Sequence, residues 1–348
     1  MKQTLLSILA LGLGLTCSRA QEVHTLKECF FTDRNHAENV DSPAVWHGAD
    51  GEGWLIVTAK ATHRLLVHDA ENGALLKVVG GQGSQPGQFD RPNGIWVSED
   101  FVFVVERDNH RVQVLHLPEF TPIGSFGQDE LQNPYGLSVV KEEEPYLYTV
   151  YVTDNYETPL EEKPPLNELN HRVQVYEVEL EGFSEDTMDF DPLMAFGATQ
   201  GEGVLNIVES IYADVPNHRL MVADEEISAA GQSIKVYDLG GKFTGTVLGK
   251  GLFKNQAEGI ALWPTGETSG YWVFTDQGMQ QNRYHVFDRE SLEYLGGFEG
   301  EVTLNTDGIW LDPTPSERYP EGLFYAVHND GNVAAFDLAE IREALGLK

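Results

Sequence analysis

Cysteine is nearly missing from this chain. Cys17 and Cys29 are the two in 348 residues, and Cys17 falls within the first 20 residues, read below as a removable leader, so Cys29 would stand alone once that leader is cut. No internal disulfide can then staple the fold, and no cysteine spacing for zinc or thiol chemistry is present. Basic residues are scarce as well: 23 Lys and Arg against 55 Asp and Glu leave a formal net charge of -32. Such a field repels nucleic acid and anionic lipid, and no basic stripe with interleaved aromatics offsets it. There is no G-x-S-x-G elbow and no plausible Cys/His arrangement, which argues against covalent acyl chemistry. Gly80-Gly81-Gln82-Gly83 has the look of a phosphate loop, but no helix and no Lys-Ser/Thr follow it, and it is read as a connector. The one long apolar run, Leu5 to Leu15, lies between Lys2 and Ser18-Arg19-Ala20. That pattern predicts a signal peptide over residues 1–20 and export to the periplasm or the extracellular medium. A lipoprotein through Cys17 is less favoured, because Gly14-Leu15-Thr16 lacks the usual run of small residues.

What the chain has instead is glycine, 35 residues of it, and a repeat. A short apolar strand led by an acidic or polar residue and then a small one recurs six times. The copies are Asp41-Ser42-Pro43-Ala44-Val45-Trp46, Asn93-Gly94-Ile95-Trp96, Tyr135-Gly136-Leu137, Glu209-Ser210-Ile211, Glu258-Gly259-Ile260 and Asp307-Gly308-Ile309. At a spacing of roughly 40 to 75 residues, each unit is too small to bury its own core and must stack on its neighbours. The reading is an all-β, six-bladed β-propeller over residues 21–348. Second strands such as Val102 to Val105 and Tyr271 to Phe274 are continuously apolar and predicted to be buried on both faces. Third strands such as Arg111 to Leu115 alternate and are predicted to be half-buried, and a fourth, such as Tyr294 to Phe298, is predicted to be outermost. The sixth repeat lacks an outer strand, so the segment Cys29 to Phe31 is expected to supply it. Asp337 to Leu347 is expected to form a short capped helix. The insertions Glu157 to Asn170 and Glu181 to Pro192 are expected to be surface decoration on the third blade.

Four of the six leading residues are carboxylates, and in a propeller all six face one axis. A second ring follows at the ends of the second strands: Lys60, Glu106-Arg107, Asp154-Asn155, Asp224-Glu225-Glu226, Asp276-Gln277 and Asn329-Asp330. Together they offer the six to eight oxygen ligands that calcium takes, and like charges brought to one axis call for a cation. Lys60 and Arg107 put positive charge in the same ring, which suits phosphate oxygens, although ion pairing with the acids would also explain them. The tripeptide Asn-His-Arg at 109–111, 170–172 and 217–219, with Thr62-His63-Arg64 as a variant, is read as turn chemistry in which Asn takes the left-handed conformation.

These residues resemble the calcium-dependent β-propeller phytases. The likeness rests on Val40-Asp41-Ser42-Pro43-Ala44-Val45-Trp46, Tyr135-Gly136-Leu137-Ser138, Ala223-Asp224-Glu225, Glu258-Gly259-Ile260 with Gln277-Gly278, Asn305-Thr306-Asp307-Gly308-Ile309, Tyr319 to Phe324, and Asp330-Gly331. The resemblance implies a monomeric exported enzyme that removes phosphate from calcium-complexed myo-inositol hexakisphosphate by metal-activated water. It implies metal ligands at Asp41, Glu209, Glu225, Glu258, Gln277, Asp307 and Asp330, and phosphate contacts at Lys60, Arg107 and Tyr135. The catalytic set would be Glu209, Glu258, Asp307, Lys60 and Arg107. The chain departs from the family pattern at Ser42, at Asn93-Gly94 and at Asp154-Asn155. Its second blade reads like an NHL repeat, from Pro86-Gly87-Gln88-Phe89 to Val114. Two alternatives therefore stay open: a non-catalytic binding propeller with calcium as a staple, and a lactonase-like metal hydrolase.

Overall fold

The computed structural model describes residues 23–184, 187–226 and 232–348. The leader expected over residues 1–20, with Cys17, lies outside them. Six antiparallel sheets follow one another along the chain. Their inner strands are Val40–His47, Pro92–Ser98, Pro134–Lys141, Val208–Asp214, Gln256–Pro264 and Ile309–Asp312. Each inner strand packs beside that of the next blade, and the sixth returns to the first, closing a ring. Among the described residues there is a single α-helix, Leu338–Leu345, and no helix is long and apolar enough to cross a membrane.

Closure uses the N-terminal segment, as the short sixth repeat implied. Phe30–Phe31 pairs antiparallel with Asn332–Asp337, flanked by bonds from Cys29 N to Ala335 O at 2.8 Å and Thr32 N to Val333 O at 2.9 Å. The preceding strand, Val23–Leu26, was not anticipated. It adds in parallel to the outer strand of the fifth blade, Tyr294–Gly300, so that strand is not the outermost there. Between these two strands Glu28 accepts the backbone N–H groups of Val302 and Thr303 at 2.9 and 2.8 Å, fixing the entry to blade 6. The helix is capped at its start by Asp337, which accepts from Ala339 N at 2.8 Å. It ends at Gly346, whose φ of 63° suits a residue without Cβ. Leu338 and Ile341 bury its apolar side against blades 5 and 6.

Third strands are more deeply buried than their alternation suggested. Arg111–His116 and Ser233–Asp238 are buried at five of six positions. Neighbouring blades cover both of their faces, and their polar side chains are satisfied inside: Gln113 donates to Glu106 at 2.9 Å, and Lys235 to Asp224 at 2.6 Å. Exposure shifts to fourth strands such as Leu75–Gly80. In blade 3 the second insertion is shorter than expected, because Met188–Phe196 is itself the fourth strand.

Candidate metal centre

Strand register explains the repeat. Val40, Pro92, Pro134, Val208 and Ala257 pair with Ala59, Glu106, Asp154, Asp224 and Asp276 on the second strands. In each blade the ladder then skips two residues before resuming. The skipped pair is the repeat dipeptide: Asp41-Ser42, Asn93-Gly94, Tyr135-Gly136, Glu209-Ser210 or Glu258-Gly259. Such an irregularity takes the leading side chain out of the ladder and re-aims it, here towards the axis.

The small residue is needed for another reason. A Cβ on Gly94 would lie 2.6 Å from Tyr135 O, one on Gly136 2.5 Å from Glu209 O, and one on Gly308 2.5 Å from Asp41 O. At these three positions the blades approach too closely for a side chain, whereas blades 1 and 4 carry the small Ser42 and Ser210 there. Hydroxyls lock the same contacts: Thr58 donates to Asn93 O and Thr153 to Glu209 O, both at 2.6 Å.

Asp41, Tyr135, Glu209, Glu258 and Asp307 line one axial cleft of about 20 Å³, room for a single ion or water. One carboxylate oxygen from each of Glu209, Glu225 and Glu258 lies within 4.8 Å of the other two. Beside the cleft lies a cavity of about 70 Å³ lined by Ile95, Leu137, Ile211, Ile260 and Ile309 together with Ser42 and Ser210. Trp96 sets its ring edge-on to Trp310 and Tyr212 at 5.3 and 5.1 Å in the same wall. Asp41 and Glu258 are themselves buried, and unneutralised charge is costly there.

The electrostatics follow from that position. Burial, reinforced by Glu225 and Asp41, pushes the Glu209 carboxyl well above the usual carboxylate range. Burial together with Glu209 and Glu225 does the same to Glu258, and burial with Asp41 and Asp330 to Asp307. Burial also raises Glu225, against hydrogen bonds from Glu258 and Gln256. Tyr135 is held protonated chiefly by the Glu209 charge and then by burial. Lys60 bonds Asp41 at 2.7 Å. Burial pulls its pKa down, but Asp41 and Asp307 outweigh that and hold it raised. Gln277 donates to Asp307, and Asn305 reaches Asp330 at 3.4 Å.

Arg107 stands apart. It lines a separate groove of about 780 Å³ with His110, Gln132, Asn133 and the insertion residues Glu157 and Glu161, and its nearest acid is Asp108 at 3.6 Å. The second ring also divides. Asp154, Asp224 and Asp276 are buried and accept backbone N–H groups from residues 132–133, 206–207 and 254–255. They anchor the connections entering their own blades, and Glu106 does likewise for Asp90 N at 3.0 Å. The first insertion brings Lys163 to Glu226 at 2.7 Å and Asn206 at 3.0 Å, contacts at the surface. In the turns at 109–111 and 217–219 and in the Thr62-His63-Arg64 variant the left-handed residue is the histidine, with φ of 54°, 53° and 56° at His110, His218 and His63, while neither Asn170 nor His171 is left-handed in the remaining copy. The asparagines are engaged elsewhere, Asn109 with Gly83 O and Asn217 with Asp214.

Asn93 gains significance from the structure. It is fully buried in the leading-residue ring, and neither its Oδ1 nor its Nδ2 has a hydrogen-bond partner. A buried carboxamide without partners marks a place for a water or an ion. The sequence signal was its position in the repeat, where it looked like a gap in the acidic ring.

No family model matches the chain, and no curated protein matches it. Solved structures with a similar fold include a nidogen/laminin complex, at 13% identity over 80% of this chain and 88% of that one, with a TM-score of 0.51. Others are the Cps50 (Swd1) β-propeller domain of Myceliophteria thermophila, at 10% identity over 86% and 97% with a TM-score of 0.48. The hydrazine synthase of Kuenenia stuttgartiensis shows 15% identity over 92% and 99% with a TM-score of 0.47. At these identities the likeness concerns the fold alone, and the fold of this chain, by its own six sheets, is a six-bladed β-propeller.

Proposed function

We propose that the axial cleft binds calcium and that the protein is a calcium-dependent phosphomonoesterase of phytase type. The observation that carries this reading is the convergence of Glu209, Glu225 and Glu258 within 4.8 Å, at a cleft that Tyr135 and Asp41 also line, with Lys60 paired to Asp41. The donor set fits the ion. It consists of oxygens, with no histidine or cysteine. Asp41, Glu209, Glu225, Glu258, Asp307 and Asp330 would hold calcium, with Gln277 orienting Asp307 through its hydrogen bond.

Calcium bound there would supply charge stabilisation for phosphoryl transfer and acidify a bound water. The chain's own residues do the rest. Lys60 presents an ammonium to a phosphate oxygen as a point charge. Tyr135, kept protonated beside Glu209, donates a hydrogen bond to another. Arg107, off the axis on the same face, suits a neighbouring phosphate of a polyphosphorylated small molecule such as myo-inositol hexakisphosphate.

The test is phosphate release from myo-inositol hexakisphosphate and from simple phosphomonoesters, with calcium and with chelator. Release should require calcium and fall by about a hundredfold in Glu258→Ala and in Asp307→Ala. Undiminished activity in both variants, or no release from any phosphate ester by the unaltered protein, overturns the proposal. A binding propeller stapled by calcium is the second reading, favoured by the placement of Arg107 in a separate groove. It predicts calcium binding with no release.

A further inference from the structure

One of the carboxylates lining the cleft, Asp41, is already paired with a cation of the chain's own. Position 60 follows the second strand of blade 1, where blade 4 carries Glu225, and the bond from Lys60 N to Asn39 O at 2.9 Å fixes the backbone there. The ammonium lies 2.7 Å from Asp41 Oδ1, with the Lys60 side chain only 13% exposed. Asp41 Oδ2 accepts from Ser42 Oγ at 3.0 Å. Both oxygens of this carboxylate are thus committed within the chain, and Asp307 is a further negative neighbour of the ammonium. A cation entering at Asp41 Oδ1 meets the Lys60 ammonium 2.7 Å from that oxygen, so the two positive charges compete for it.

We infer that Lys60 is a resident counter-cation, which neutralises the Asp41 and Asp307 side of the cleft in the metal-free protein and yields Asp41 to an entering calcium ion. This deepens the calcium reading and rests on it. The flexible stem of lysine lets the ammonium move while staying at the mouth, where it then faces an anionic substrate. Two consequences separate this role from simple phosphate binding. Lys60 competes with calcium, and it stabilises the fold when calcium is absent, because removing it leaves a buried carboxylate uncompensated.

The experiment uses full-length protein stripped of metal, at pH 8, with calcium alone as the probe. Calorimetric titration and thermal unfolding in chelator are compared for the unaltered chain, Lys60→Met and Lys60→Arg. Lys60→Met should bind calcium about tenfold more tightly, the scale of coupling between ligands that share a site. In chelator it should unfold about 5 °C lower, and calcium should erase that loss. Lys60→Arg, which keeps the charge, should return both values towards the original. A Lys60→Met protein that folds only with calcium also supports the role. Equal or weaker calcium binding by Lys60→Met overturns it and leaves the calcium site standing. No calcium binding by any of the three overturns the calcium reading and this inference with it.

Discussion

Gly136 shows how much of a repeat can be packing. Its missing side chain leaves room for the Glu209 carbonyl, 2.5 Å from where a Cβ would lie. Neither atom can yield cheaply, since both belong to backbone at the centre of the ring. Gly136→Ala should therefore destabilise the protein by about 1 to 3 kcal/mol, the usual range for overpacking. Gly81, with open space around it and no left-handed φ, provides the control: Gly81→Ala should stay within about 0.5 kcal/mol. Urea unfolding of the two variants measures the difference, and equal stabilities would mean the blades can part at the axis. The acid-then-small pattern was legible in sequence as one unit. Structure separates it into a small residue required by blade contact and a leading residue free to vary, which is why Asn93 and Tyr135 occupy acidic positions without breaking the ring.

The second strands end in two adjacent residues with opposite duties, and blade 4 shows the contrast most sharply. Asp224 is fully buried, accepts backbone N–H groups at 3.0 and 3.1 Å, and pairs with the buried Lys235 at 2.6 Å. Glu225, one residue on, belongs to the carboxylate cluster at the cleft. Asp224→Ala should cost about 3 to 5 kcal/mol, because it strands a buried ammonium. Glu225→Ala should leave metal-free stability nearly unchanged or improved and weaken calcium binding. Chemical unfolding in chelator and calcium titration on the same two variants check both halves, and similar behaviour of the pair would refute the division. Sequence alone placed both in one polar ring, since strand register does not say which of two successive residues turns inward. Blade count, ring closure by Phe30–Phe31 and the Asp337 cap were readable, because each rests on a local pattern or on a missing strand. Val23–Leu26 was not, since a four-residue strand shows no usable periodicity and its parallel partner lies some 270 residues away.

A closed ring distributes stability around its circumference, and the seam between blade 6 and blade 1 is where the last sheet meets the first. On the face opposite the carboxylates, His47 at the end of the first inner strand bonds Asp312 at the end of the sixth at 2.9 Å. The pair borders a cavity of about 600 Å³ that also presents Glu52, Asp69 and Glu71. The hydrogen bond to Asp312 raises the His47 pKa above its usual value, against the opposing effect of burial. A raised histidine favours the folded state fully below about pH 6.5, and that contribution disappears as pH climbs through the folded-state pKa. With the His47 side chain 41% exposed, solvent screening limits the gain to about 0.5 to 1 kcal/mol. His47→Asn should therefore unfold at a lower temperature than the unaltered protein at pH 5.5, and the two should converge at pH 9. Both measurements belong in saturating calcium, so that the axial carboxylates, whose raised pKa values also make the metal-free fold less stable as pH rises, do not contribute. A gap of equal size at both pH values would show that the seam is held by packing and neutral hydrogen bonding, with no ionic part.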